Sequence, residues 1–204
     1  NTKWQDATEL ELSQIIAYNT FTDKGMAVWT KDGKIENAPE GHTRIRLHLV
    51  FAVKHDGRHK VRLVGDGSKT VEPMENIYSG VVSLRSLRLV IFLAELNQLE
   101  LWGADIGNAY LEAVTKEKIF VIAGPEFKEL KGHILIIHKA LYGLKSSGAR
   151  WHDKLFDILR ELGYTPSKAD PDVWMRLSKC GKYYEYIAVY VDDLCIASKD
   201  PSVL

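Results

Sequence analysis

The chain has 204 residues, 46% of them hydrophobic, with 5 Trp, 9 Tyr and 6 Phe. That is enough apolar mass to pack one domain of ordinary size, which excludes a disordered or low-complexity chain. Lys plus Arg number 27 and Asp plus Glu 27, so the formal net charge is zero; no global basic field draws in nucleic acid, and a polyanion site has to be a local basic patch.

In chain order, residues 4–18 place Leu12, Ile15 and Ile16 at helical spacing. Between Thr22 and Gly41 the pattern thins into Gly, Lys, Asn and Pro and reads as a connecting segment. From Thr43 polar and apolar residues alternate, the chain turns at residues 55–59, and alternation resumes, which predicts a β-hairpin studded with Arg44, Arg46, Lys54, Arg58, Lys60 and Arg62. Residues 81–97 predict a helix apolar enough to be buried on most sides. A strand ending at Asp105 follows, then a short segment, then strands at 119–122 and 133–138. Residues 149–162 predict an amphipathic helix closed by Gly163, and three further strands carry the chain to residue 198. The order predicts an α+β fold with helices on one face of a mostly antiparallel sheet.

The chemistry concentrates at acidic residues. Asp192-Asp193 interrupts two apolar strands, where charge costs several kcal/mol unless a cation or donor compensates it. Asp105 ends an apolar strand, so its carboxylate emerges at a sheet edge. A hairpin turn at Asp192-Asp193 and a helix cap at Asp105 are the structural alternatives. Together the three carboxylates predict a site for two hard divalent cations, the equipment of phosphoryl transfer.

Tyr190-Val191-Asp192-Asp193 between apolar strands resembles the catalytic motif of reverse transcriptases, and Asp105-Ile106-Gly107-Asn108-Ala109-Tyr110-Leu111 resembles the first catalytic motif of that family. Residues 139–145, Lys-Ala-Leu-Tyr-Gly-Leu-Lys, together with Arg150-Trp151, are similar to the signature of copia-type retrotransposon polymerases, as are residues 168–171. These matches fall in the family's order along residues 60–198. Two departures stand out: Gly107 replaces a bulkier or charged residue, and Ser146-Ser147-Gly148 replaces a stretch that usually carries a glutamine and a proline.

The resemblance implies a polymerase palm, an antiparallel sheet with helices on one face, plus a small β-rich fingers subdomain. It divides the chain into an N-terminal helix and connector (1–41), a fingers hairpin (42–80) and a palm (81–204), with thumb and ribonuclease H outside these residues. It implies RNA- and DNA-directed DNA synthesis from deoxynucleotides with two magnesium ions, manganese being the alternative ion. Asp105, Asp192 and Asp193 would be catalytic, and with Ile106 would form the metal set. Tyr110 would exclude a 2′-hydroxyl, Lys60 and Arg62 would hold the triphosphate, and Ile106, Tyr142, Gly143 and Lys145 would line the nucleotide and template. The implied partners are a primed RNA or DNA template, dNTP, and the integrase and ribonuclease H of the same polyprotein, in the cytoplasm within a virus-like particle and without a membrane.

Other readings compete. A nucleic-acid-binding module that has lost catalysis would keep the fold, and a nucleotidyl cyclase would share strand-end carboxylates but not Tyr110 or the Tyr142-Gly143 segment. The histidines read as surface or hydrogen-bonded groups, Trp151 and Trp102 as packing residues, Gly65-Asp66-Gly67 as a turn, and Cys180 and Cys195 as neither a zinc pair nor a disulfide framework.

Overall fold

A computed structural model describes residues 2–70, 77 and 79–200. Residues 71–76, 78 and 201–204, which the sequence reading assigns to the ends of the fingers and palm segments, lie outside the described residues. The elements run α1 (Thr2–Ala17), β1 (Phe21–Met26), β2 (Thr43–Arg44), β3 (Leu47–Val53), β4 (His59–Gly65), α2 (Leu84–Leu96) and β5 (Glu100–Asp105). They continue as α3 (Ala109–Glu112), β6 (Ile119–Ile122), β7 (His133–Ile137), α4 (Ser147–Glu161), β8 (Thr165–Pro166), β9 (Val173–Leu177), β10 (Tyr184–Tyr190) and β11 (Asp193–Ser198). Two compact units divide them: Asn1–Ile77 with Tyr110–Arg150, and Tyr78–Ala109 with Trp151–Leu204.

In the first unit β1, β7, β6 and β2 form one sheet in that order, and β3 and β4 form a separate hairpin. Leu12 and Ile15 of α1, Ile45, Leu63, Val121, Leu135 and Ile137 share one buried core. Two expectations are corrected here. The segment 22–41 is not all connector, because it opens with β1, an edge strand antiparallel to β7 with an irregularity between Asp23 and Met26. Its polar residues hide it from a periodicity reading, yet backbone pairing needs no apolar side chain. The hairpin predicted from Thr43 also splits. Thr43 and Arg44 pair in parallel with β6, buried Ile45 plugs the core, and only Leu47 onward pairs with β4.

The second unit holds a five-stranded antiparallel sheet in the order β5, β11, β10, β9, β8. Among the described residues there are three sheets, where element order alone predicted one mostly antiparallel sheet and the resemblance added a β-rich fingers subdomain. Helix α2 begins where Ser83 Oγ accepts the Ser86 N–H, and it buries Val90 and Ala94. It is not buried on most sides: Leu84, Phe92 and Leu96 are 62%, 60% and 67% exposed. Trp102 is likewise no packing residue beneath the site, since it stands 48% exposed on β5, the sheet's edge strand.

Buried Asp170 ties this unit together. Its Oδ2 accepts the Ser83 N–H at the start of α2 (3.0 Å), and its Oδ1 accepts the Asp172 N–H (3.1 Å). Burial pushes the carboxyl up, but hydrogen bonds from Ser86, Ser83 and Asp172 outweigh it and hold the group below the usual carboxylate range. A lowered folded value means the stabilisation is present above the unfolded value and is lost as pH falls through the folded one. Asp170→Asn, which turns a donor toward an N–H, is therefore expected to cost about 1–3 kcal/mol near neutrality. That deficit should shrink in strong acid, where Asp170 is itself protonated; urea unfolding of both proteins at neutral and at strongly acid pH measures it.

Candidate active site

The β5–β11 ladder sets the acidic site. Asp193 opens β11 and Asp105 closes β5, and the two are direct partners in the antiparallel register. Directly opposed residues project on the same face of a sheet, so the two carboxylates face one way. Asp192 sits beside them in the two-residue loop that joins β10 to β11 across the Tyr190–Asp193 pair. The Ile106 N–H donates to the Asp192 carbonyl at 2.9 Å, extending the pairing past the end of β5. Asp105 and Asp193 are exposed and Asp192 is half-buried. Among the described residues, no cation or donor is bonded to any of the three carboxylates.

Like charges opposed on neighbouring strands destabilise a ladder. A hard divalent cation would remove that penalty, and the all-oxygen donor set suits magnesium. The convergence is looser than three carboxylates closing on one point, however. Among the described residues no three His, Cys, Asp or Glu groups are arranged to hold an ion. The donors fit a cation in kind, as a facing pair with a third carboxylate one residue away.

The loop itself is strained. Val191 has φ 59°, the left-handed region, where a β-branched residue is out of place. Such a conformation costs on the order of 1–3 kcal/mol and persists only where neighbours impose it. One neighbour is Trp151, buried on α4, whose indole N–H donates to the Val191 carbonyl at 2.7 Å. Reading Trp151 as packing alone missed this bond, and nothing in the sequence signals it.

In the first unit the structure gathers Tyr110, Tyr142 and Arg62. The Tyr110 and Tyr142 ring centroids are 4.8 Å apart, and the Arg62 guanidinium lies 4.9 Å from the Tyr142 ring on its way past β4. Arg62 Nε is buried without a hydrogen-bond partner among the described residues. Tyr142 is pinned because its carbonyl accepts the Gly65 N–H at 2.8 Å. The backbones then come so close that a Cβ on Gly143, where φ is +88°, would sit 2.2 Å from the Gly65 carbonyl oxygen, and one on Gly67 would sit 2.3 Å from that of Gly143. Only glycine fits at either place.

Lys60 stands two residues before Arg62 on β4 and therefore on the same face. Glu11, on α1, accepts the Leu63 N–H at 2.9 Å. Burial raises the Glu11 carboxyl above its ordinary value, although the Leu63 N–H and the charges of Lys60 and Arg62 pull it down. The Lys145 ammonium donates to the Thr70 carbonyl at 3.1 Å, which spends one of its three donors inside the unit. Ser146 and Ser147, the departure noted in the sequence, are buried and satisfied: Ser146 Oγ donates to Glu117 Oε1 and Ser147 Oγ to the Leu141 carbonyl, each at 2.6 Å.

Comparison with known proteins bears on these residues together. The family model described as reverse transcriptase (RNA-dependent DNA polymerase) matches residues 30–204. The chain is 30% identical over 181 residues to the retrovirus-related Pol polyprotein from transposon TNT 1-94 of Nicotiana tabacum, covering 84% of the chain and 14% of that protein. It is 26% identical over 211 residues to the Pol polyprotein from transposon RE1 of Arabidopsis thaliana, covering 99% and 14%. It is 27% identical over 202 residues to the truncated transposon Ty1-A Gag-Pol polyprotein of Saccharomyces cerevisiae, covering 97% and 16%. The chain thus spans about a seventh of the length of these curated relatives. With the motif order and the match over most of its length, the chain belongs to the reverse transcriptase family, as the reverse transcriptase domain of copia-type retrotransposon Pol polyproteins.

Proposed function

We propose that this chain carries the nucleotidyl-transfer site of an RNA- and DNA-directed DNA polymerase, with Asp105, Asp192 and Asp193 as its catalytic residues. What supports the reading is the direct cross-strand pairing of Asp105 with Asp193, beside a strained loop bearing Asp192. Residues 42–80 act as fingers and 81–204 as palm, of which residues 110–150 fold with the first unit. Two magnesium ions would be held by Asp105 and Asp192, with Asp193 and the main chain of Ile106 alongside. When bound, such ions lower the pKa of an attacking primer 3′-hydroxyl and neutralise charge on departing pyrophosphate.

The chain's own groups do the rest. The carboxylates of Asp105, Asp192 and Asp193 would hold the ions, and their repulsion is what a bound cation would relieve. Lys60 and Arg62 meet the triphosphate, and Arg62 arrives there already stacked on Tyr142, so little side-chain freedom remains to be lost on binding. Tyr110, braced against the Tyr142 ring, forms a wall under the deoxyribose that leaves no volume for a 2′-hydroxyl. Tyr142, Gly143 and Lys145 line the template side. The partners are a primed template, dNTP and the rest of the Pol polyprotein, its integrase and ribonuclease H included, inside a cytoplasmic particle. Among the described residues no helix is long and apolar enough to cross a membrane.

Primer extension on poly(rA)/oligo(dT) by the full-length polyprotein tests the reading. Asp192→Asn is expected to lower kcat by at least about 10³ while leaving the fold intact, the scale for a group acting on the transition state. Incorporation within tenfold of the parent would remove Asp192 from the site. Asp105→Asn should leave stability unchanged or higher, because one of two opposed charges disappears, while incorporation collapses.

Tyr110→Val is expected to raise ribonucleotide use relative to deoxyribonucleotide by about tenfold or more, roughly 1.4 kcal/mol of lost discrimination. Single-nucleotide kinetics with dNTP and rNTP in parallel measure the ratio. An unchanged ratio with lower stability would leave Tyr110 as a partner of Tyr142 and nothing more.

A further inference from the structure

We propose that Trp151 is a positioning residue for the acidic site: its indole N–H holds the Val191 carbonyl and keeps the loop turned so that Asp192 and Asp193 stay at the end of β5. The proposal rests on the reading of those aspartates as reacting groups, and it lies entirely within the second unit.

Two-residue hairpin loops with positive φ at the first central residue favour glycine there. This loop carries valine instead, at φ 59°. The conformation needs external restraint, and the loop's two carbonyls supply the handles. The Asp192 carbonyl accepts from Ile106 N–H at 2.9 Å, which ties the loop to the residue after Asp105. The Val191 carbonyl accepts from Trp151 Nε1–H at 2.7 Å, which ties it to α4. Each tether reaches the loop from a different element, so together they fix its tilt as well as its place.

Trp151 can bear this role because it is itself immobile. It is 2% exposed, and the next residue anchors the same turn of α4, with His152 Nε2 lying 2.9 Å from Oδ1 of buried Asp172. The Asp172 carbonyl in turn accepts the N–H of Val189, two residues before the loop. Tryptophan has one donor and no acceptor, so burying it leaves a group that gains only if a carbonyl meets it. A phenylalanine would pack in the same place and hold nothing.

Trp151→Phe, and the benzothiophene isostere of Trp151 that deletes only the N–H, separate the bond from the bulk. Amide hydrogen exchange over residues 190–194 in the chain is expected to quicken by about tenfold or more in both, with exchange in β9 unchanged. In single-nucleotide incorporation kcat should fall about tenfold with KM for dNTP within about threefold, the signature of misplaced reacting groups rather than lost binding. Adding Val191→Gly should restore kcat of Trp151→Phe to within about threefold of Val191→Gly alone, because glycine holds the positive φ unaided. If exchange in the loop is unchanged in the isostere, or if kcat falls without rescue by Val191→Gly, Trp151 is a packing residue and the proposal fails. Loss of fold in Trp151→Phe leaves the isostere to decide. A parent that incorporates no nucleotide refutes the polymerase reading, whereas the exchange measurement still decides the clamp.

Discussion

The pairing of β5 with β11 carries most of what the second unit can do. Five register pairs lead into it, Glu100 against Ser198, Leu101 against Ala197, Trp102 against Ile196, Gly103 against Cys195 and Ala104 against Leu194, before Asp105 meets Asp193. A slip of one residue would turn every side chain of β5 to the other face and put Asp105 out of reach of its partner. What prevents the slip lies elsewhere in the sheet. β11 is held between β5 and β10, and β10 is anchored by buried Ile187, Ala188 and Val189. β5 itself is exposed along its whole length. The acidic edge is thus borrowed rigidity: the strand bearing Asp105 contributes little burial and takes its register from strands that do.

That same edge concentrates two local costs, the opposed carboxylates and the positive φ of Val191. Neither helps the fold. Strain and like-charge repulsion are collected in a few residues where the surrounding strands are well paired, which suits the cation site proposed above. The bland account of Asp192-Asp193 as mere turn chemistry explains a loop but not its residues. A turn chosen for stability would carry glycine at Val191 and would not oppose Asp193 with a second carboxylate.

The sequence was legible where a physical rule acts locally. The period of α4, the alternation in β4, and Asp105 at the end of a strand are all written in neighbouring residues. It was illegible where the deciding partner lies far away. Residues 22–25 form a strand because β7 offers an edge, and Thr43-Arg44 leave their hairpin because β6 does. Helix α2 read as buried on most sides because composition counts apolar residues without knowing how much covering surface exists. The site shows the same division. The aspartates announced themselves, whereas the stack of Tyr110, Tyr142 and Arg62 and the glycine contact between Gly67 and Gly143 join residues some 30 to 80 positions apart, and no spacing rule reaches that far. Ser146 and Ser147, a departure from the usual residues, hydrogen-bond Glu117 and the Leu141 carbonyl, neither of which the sequence announces.

Helix α1 shows how far such dependence extends. It precedes residue 30, where the family match begins, yet Leu12 and Ile15 enter the first unit's core and the helix packs on β4. Glu11 goes further by accepting the Leu63 N–H from within a partly buried setting. Leu63 lies between Arg62 and Val64 on the strand that presents Lys60 and Arg62, so the carboxylate fixes the backbone from which those cations project. Its negative charge also falls close enough to feel both of them. A carboxylate so placed offsets part of the repulsion between two neighbouring cations. The basic face of β4 is therefore balanced by a helix outside the matched region, and α1 belongs to the first unit's core.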